Sequence, residues 1–203
     1  MDFLIPQNKR KNLEKYDKKN LEIALEFTKR LKHEIGDFAK MVILFGSTAR
    51  HQQAGDIDIL VVIDDVNIQL SPEFVQTYRI IVEKILADIS RKLHITTFKL
   101  TTFWEYMRAG DPVAINILRD GVALLDPGIF DPLQILLLEG RIRPTPESVY
   151  TYFARAPITL HNSKWHLMQA TLDLYWAVID ASHAALMKLN VVPPSPEFVP
   201  NLL

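Results

Sequence analysis

The sequence predicts an α+β fold: a small mixed β-sheet flanked by helices, followed by an α-helical segment. Three observations predict it. Short apolar runs at 41–45, 56–63 and 93–100 end at glycine, aspartate or lysine and read as buried strands. Stretches with helical apolar spacing and recognisable starts surround them. Beyond a Gly/Pro-rich break at 140–146 no further strand pattern occurs, and the aromatic-rich remainder has helical periodicity.

Residues 8–40 are rich in lysine and glutamate, with Leu21, Leu25, Thr28, Leu31 and Ile35 at helical spacing, which predicts one long amphipathic helix. "MVILF" (41–45) ends in Gly46-Ser47 and predicts a first strand; "DIDILVVI" (56–63), dense in β-branched residues, predicts a second. Ser71-Pro72-Glu73 is a helix start: a hydroxyl at the N-cap, proline at the first position, then an acid against the positive end of the dipole. That helix is expected to run to about Lys92 and to be followed by a third strand, "LHITTFKL" (93–100). Thr102-Phe-Trp-Glu105 has capping-box form. "DPVAINILRD" continues helically, 121–126 forms a short strand, and 130–140 a brief helix. Gly140, Pro144 and Pro146 place a boundary between a first domain, 1–140, and a second, 145–203. In the second, one helix runs from Pro146 to about Arg155. Another, over roughly 158–190, carries Trp165, Met168, Leu172, Tyr175, Trp176, Ile179, Leu186 and Leu189. A helical pair that small rarely buries enough surface to fold alone, so it is expected to dock or to pair with a second copy, and a homodimer is favoured. Ser195-Pro196-Glu197 is a further helix start with little chain after it, as expected of a helical domain shortened relative to its relatives.

With 48% hydrophobic and 23% charged residues, the 203-residue chain can bury a core, and its net charge of −1 argues against a general polyanion-binding surface; nucleic acid is not indicated as a partner. There are no cysteines, which excludes disulfides, thiolate metal sites and cysteine nucleophiles and fits a cytoplasmic setting. Neither a signal-peptide core nor a membrane-length apolar run is present.

The residues that carry chemistry lie in "ILFGSTARHQQAGDIDILVVID" (43–64). Side chains two apart on a strand share a face, so Asp56 and Asp58 project side by side, with Ile57 and Ile59 opposite. Neighbouring carboxylates repel unless a cation lies between them. Oxygen-only ligands select a hard ion such as Mg²⁺ (or Mn²⁺), which keeps waters and takes phosphate oxygens as further ligands. Gly46 and Ser47, at the turn after the first strand, offer backbone N–H groups and a hydroxyl suited to a phosphate.

Phe45-Gly46-Ser47, eight intervening residues and Asp56-Ile57-Asp58 together resemble the signature of the polymerase-β nucleotidyltransferase superfamily, in particular its minimal nucleotidyltransferases; Arg50 matches the Gly-Ser-x-Ala-Arg form of that motif. The resemblance implies a nucleotidyltransferase fold for 1–140 and Mg²⁺-dependent transfer of a nucleoside monophosphate, most simply AMP from ATP, to an acceptor. Asp56 and Asp58 would hold metal, and Gly46, Ser47 and Arg50 the nucleotide. The sequence departs from the family pattern in three ways. The loop is short, and Gly55 stands where a serine is common. The strand that usually supplies a third carboxylate offers only His94 and Thr96 on one face, or Ile95 and Thr97 on the other. Glu83, Asp88 and Asp111 lie elsewhere. The alternative is therefore a catalytically weak or inactive nucleotide-binding regulatory or antitoxin-like module. The C-terminal "HNSKWHLMQATLDLYWAVIDASHAALMKLN" is similar to the first part of a HEPN domain, which implies a protein acceptor or a HEPN-type partner. HEPN ribonucleases carry an arginine shortly before a histidine. The corresponding positions ahead of His183 are Val178, Ala177 and Trp176, so RNA cleavage is not predicted. His166, Asp173, Asp180 and His183 form a polar stripe, read as a hydrogen-bonded interface seam or, less simply, as an acceptor site.

Overall fold

The computed structural model describes residues 12–46 and 56–202, in two compact units, 1–148 and 149–203. The first unit is the predicted α+β arrangement. Strands β1 (Ala39–Phe45), β2 (Ile57–Ile63), β3 (Leu93–Lys99) and β4 (Val122–Leu125) form one mixed sheet in the order β3-β2-β1-β4. β1 is antiparallel to both β2 and β4, whereas β2 and β3 run parallel, joined by the crossover helix α2 (Pro72–Ile89).

Both faces of the central strands are covered, so β1 and β2 read as almost continuous apolar runs. On one face Val42, Leu44, Ile57, Ile59 and Val61 pack against Ala24, Phe27 and Leu31 of α1 (Lys18–Ile35) and Tyr78, Val82 and Ile85 of α2. On the other, Met41, Ile43, Leu60 and Val62 meet α3 (Leu100–Ala109), α4 (Pro112–Asp120) and α5 (Phe130–Leu138) through Phe103, Met107, Ile117, Phe130 and Leu133.

Two element boundaries differ from expectation, each for a local reason. The first helix covers Lys18–Ile35 rather than most of 8–40: Tyr16 is extended at its start, and Gly36 takes φ +56 at its end, where a side chain would be strained. Residues 1–11 lie outside the described region. Helix α3 begins at Leu100, two residues before the capping box, because Asp65 caps it from the loop after β2; the Thr101 amide and hydroxyl both donate to that carboxylate. Ser71, by contrast, caps α2 as its sequence predicts, accepting from the Phe74 amide at 3.2 Å.

In the second unit the two predicted helices are one, α6 (Pro146–Lys188), which passes through Pro157 without ending. Asn190 follows at φ +58, and the Val191 amide closes the turn onto the Leu186 carbonyl at 3.0 Å. A 3₁₀ turn, Pro196–Asn201, follows, and Val199 in it is buried, as are Ile179 and Leu186 of α6. Among the described residues no helix is long and apolar enough to cross a membrane.

Candidate functional site

Because β1 and β2 are antiparallel and β3 is parallel to β2, the end of β1 and the beginnings of β2 and β3 meet at one end of the sheet. Asp58 stands opposite Phe45 of β1 and opposite His94 of β3. Ile57 and Ile59 are fully buried on the α1/α2 side. Asp58 therefore shares its face with Leu60, Val62 and His94, at the open end of the α3–α5 layer. Asp56 lies immediately before β2, exposed, with its Oδ1 3.8 Å from His94 Nε2. The register also decides between the two readings of β3: His94 and Thr96 take the aspartate face, while Ile95 packs with the opposite core.

Burial pushes the Asp58 carboxyl above the usual carboxylate range, and the neighbouring Asp56 charge pushes the same way, against the opposing influence of His94. Among the described residues neither aspartate has a lysine or arginine ion-pair partner. The pair is thus a half-satisfied negative charge beside a histidine, which a cation would relieve.

Gly46 completes the geometry. It takes φ +96, and a Cβ built there would lie 2.1 Å from Asp58 Oδ2 and 2.9 Å from its Cγ. The Asp58 carboxylate occupies the space that a side chain at 46 would need. Glycine is therefore required both by the backbone and by the acid pressed against it. Ser47 and Arg50, and the predicted turn into "TAR", lie outside the described residues.

Sequence reasoning missed a support beneath this end of the sheet. Tyr16, buried, donates its hydroxyl to the Asp120 carbonyl at 2.8 Å and lies 3.3 Å from the Leu44 carbonyl, tying the segment before α1 to the last residues of β1. Burial raises its pKa far above the ordinary phenol value, with Asp120 and Asp58 adding to the effect. Asp120 is largely buried; the Arg119 guanidinium bonded to it at 2.8 Å holds its carboxyl below the usual range, with Lys15 3.5 Å away. A lone tyrosine in a lysine-rich segment gives no sequence signal for such a role.

The donor set has a clear limit. No group of three or more histidine, aspartate or glutamate side chains stands together as a metal cage among the described residues; Asp88, in the last turn of α2, lies 3.8 Å from Arg30 of α1, on the opposite side of the sheet from Asp58. Two carboxylates two residues apart, one just before β2 and one on it, fit a single hard cation that keeps waters and takes phosphate oxygens, the usual habit of Mg²⁺. They do not form a closed all-protein site. The stripe on α6 is not assembled into a site either: His183 Nε2 donates to the Pro194 carbonyl at 3.0 Å, and Asp173 accepts from Gln169.

No family model matches the chain, and no curated protein matches it. Among solved structures it is similar to a mutant of the toxin–antitoxin MntA-HpeT, at 11% identity, and to the toxin–antitoxin with AMP-PNP, at 12%. Each match has a TM-score of 0.36 and covers 70% of this chain and 98% of the other. A likeness this distant assigns no family.

Proposed function

We propose that the first unit binds a nucleoside triphosphate with a divalent cation and transfers a nucleoside monophosphate, AMP from ATP, to an acceptor hydroxyl with loss of pyrophosphate. The observation that carries this is Asp58 on an interior strand, set against Gly46, with Asp56 immediately before that strand, neither having a lysine or arginine ion-pair partner among the described residues. Asp56 and Asp58 would hold the cation, which supplies charge neutralisation of the triphosphate. Gly46 would leave room for Asp58 and, through its backbone, help to hold the nucleotide. Ser47 and Arg50, assigned from the sequence motif, would hold the terminal phosphates. His94, whose Nε2 lies 3.8 Å from Asp56, would accept the proton of the attacking hydroxyl. A protein acceptor, or a helical partner protein, fits the near-neutral chain better than nucleic acid does, and a cytoplasmic setting suits the absence of cysteine.

Incubation with α-labelled ATP and Mg²⁺ is expected to label an acceptor, and replacing both Asp56 and Asp58 by alanine is expected to abolish that labelling. Labelling that survives the double replacement removes the proposed role of the pair. A second reading has its own observation: the strand position opposite Asp58 carries His94, not an acid. On that reading the unit binds nucleotide without turnover, as a regulatory or antitoxin-like module. Calorimetry with ATP and Mg²⁺ alongside the labelling assay separates the two, since heat of binding without transfer selects the module.

A further inference from the structure

The two edges of the sheet differ. β4 is four residues long, and its register against β1 shifts between Val42 and Ile43. β3 is seven residues long, and its parallel register with β2 runs unbroken from Ile57 and Leu93 to Ile63 and Lys99. A short, irregular edge resists further pairing, whereas a long, regular one invites it. From His94 to Phe98 this edge holds no proline, lysine, arginine or acid to turn a neighbouring strand away. Its free backbone groups follow from the ladder. The Ile57 amide donates to the Lys92 carbonyl at 2.7 Å. Alternation along a parallel pair then turns the backbone of His94, Thr96 and Phe98 toward β2, and that of Ile95 and Thr97 outward. Among the described residues no strand pairs with β3 on that side. The side chains are open too: His94, Thr96, Thr97 and Lys99 are exposed. The edge leads into the candidate site, since His94 stands level with Asp58 and 3.8 Å from Asp56. The turn before it carries Arg91 and Lys92, both exposed and neither in an ion pair among the described residues.

We infer that the acceptor is an extended peptide segment that adds antiparallel to the free edge of β3, sets a hydroxyl-bearing residue beside His94, and carries acids that meet Arg91 and Lys92. This rests on the nucleotidyl-transfer reading of the same site. The direction of attack points to this edge. With the terminal phosphates assigned to the Gly46 end of β1, pyrophosphate departs on the β1 side, and the in-line oxygen arrives from the β3 side. The peptide oxygen bonds to the α-phosphorus as the bond to pyrophosphate breaks, and its proton passes to His94. Register supplies the aim. In an antiparallel addition the outward backbone of Ile95 and Thr97 makes the hydrogen-bonded pairs, so the residue level with His94 belongs to a non-hydrogen-bonded pair, with Cα atoms about 4.5 Å apart and side chains closest. That side chain emerges on the face shared by His94 and Asp58. The same features select the occupant. A row of outward amides and carbonyls complements another backbone, whereas the phosphates of a nucleic acid offer acceptors alone. A second copy paired antiparallel through this edge near Thr96 would bring Arg91 and Lys92 close to the second copy's Lys99, like charge against like, and would cover His94. Acidic side chains on a peptide reverse that sign; at exposed positions this gives selection more than affinity.

The test uses the full chain and a short synthetic peptide of alternating valine and threonine that ends in two aspartates. Without nucleotide, excess peptide is expected to slow amide hydrogen exchange at Ile95 and Thr97, read by NMR. With α-labelled ATP and Mg²⁺, the wild type is expected to label the peptide on threonine. A threonine level with His94 leaves the valine amides facing β3, so N-methylation of the valines is expected to abolish binding and labelling, and N-methylation of the threonines is not. Thr97→Pro removes one outward amide without touching the ladder to β2, and is expected to weaken peptide binding ~10-fold. It should leave Mn²⁺ and ATP binding unchanged, since Thr97 lies about 10 Å along the strand from His94. Thr97→Val keeps the amide and loses only the hydroxyl bonded to Tyr78 at 2.8 Å, so it should bind peptide as the wild type does. Several results overturn the inference: exchange at Ile95 and Thr97 that the peptide leaves unchanged, or that slows with chain concentration alone, which would put a second copy at the edge; equal labelling of the valine-methylated peptide; or label passing to single-stranded RNA instead. Lysines in place of the aspartates that bind as tightly overturn the acidic preference. Nucleotide binding without any exchange effect overturns this inference and leaves the transfer reading, whereas an exchange effect without nucleotide binding overturns the transfer reading and leaves the edge a peptide site. The methylated peptides require no change to the protein, so the outcome stands even if Thr97→Pro perturbs the strand.

Discussion

Gly46→Ala isolates the contact on which the candidate site is built. At φ +96 an alanine carries a backbone strain of about 1–2 kcal/mol. Its Cβ would also meet Asp58 Oδ2 at 2.1 Å, Cγ at 2.9 Å and Cβ at 3.0 Å. Rotating the carboxylate relieves only the oxygen contact, so Asp58 and the start of β2 must shift, and the total loss is expected to reach about 3 kcal/mol. Introducing the same change into Asp58→Ala removes the oxygen and Cγ and leaves one tight Cβ contact, so the cost there should fall to the backbone strain alone, about 1–2 kcal/mol. Urea unfolding of the wild type, both single variants and the double variant closes the cycle, with equal m-values as the check that compactness is unchanged. The expected coupling is about 1 kcal/mol or more. Costs of Gly46→Ala that agree within about 0.5 kcal/mol in the two backgrounds would refute the steric account. Mn²⁺ titrated into Gly46→Ala should bind at least ~10-fold more weakly, since about 1.4 kcal/mol of misplacement suffices for that.

The other expectations concern charge and support. Asp58→Asn should raise the unfolding midpoint at neutral pH. The folded carboxyl is raised, so its ionisation costs stability as pH climbs from the unfolded value of 3.8 through the folded one, and the gain should vanish at lower pH, where the carboxyl is protonated in both states. Asp64, buried, has the opposite sign. Hydrogen bonds from the Asn67 amide and side chain, from Lys40 at 2.9 Å and from the Val66 amide hold its carboxyl far below the usual range. Its contribution should be full above the ordinary aspartate range and fade as pH falls below it; Asp64→Ala should cost about 2–4 kcal/mol in thermal or urea unfolding at neutral pH. Tyr16→Phe leaves the buried Asp120 carbonyl without its donor and should cost about 1–2 kcal/mol, read by the same unfolding curves.

Much of the fold was legible because both faces of the sheet are covered: the apolar runs at 41–45 and 57–63 had to be buried strands whatever lay around them. Ser71-Pro72-Glu73 was legible because its cap is local. The start of α3 was not, because its cap, Asp65, comes from 36 residues away. The break expected between about Arg155 and 158 does not occur; the helix continues through Pro157, since one missing amide can be absorbed in a long helix. At the site, the alternation around Asp56 and Asp58 announced a shared face. The pressure of Asp58 on Gly46 and the buried hydroxyl of Tyr16 are tertiary contacts that no local pattern carries.

A pair of acids at the end of a strand has a simple alternative role, to keep a sheet edge soluble. The strand order removes it. β2 lies between β1 and β3, hydrogen-bonded on both sides, and has no edge to protect. What remains is a carboxylate held in an unfavourable state, with a glycine where any other residue would collide with it and a histidine opposite. The acid lowers stability relative to an obvious substitute, asparagine, and the glycine is the residue that the acid's position and the backbone demand. A loss of that kind at one end of an otherwise well-packed sheet is what the proposed site would require, with a bound cation as the missing favourable partner. The stability and cation-binding readouts should therefore move in opposite directions at Asp58. A stabilised Asp58→Asn that still binds Mn²⁺ at wild-type strength would show that the acid serves neither purpose.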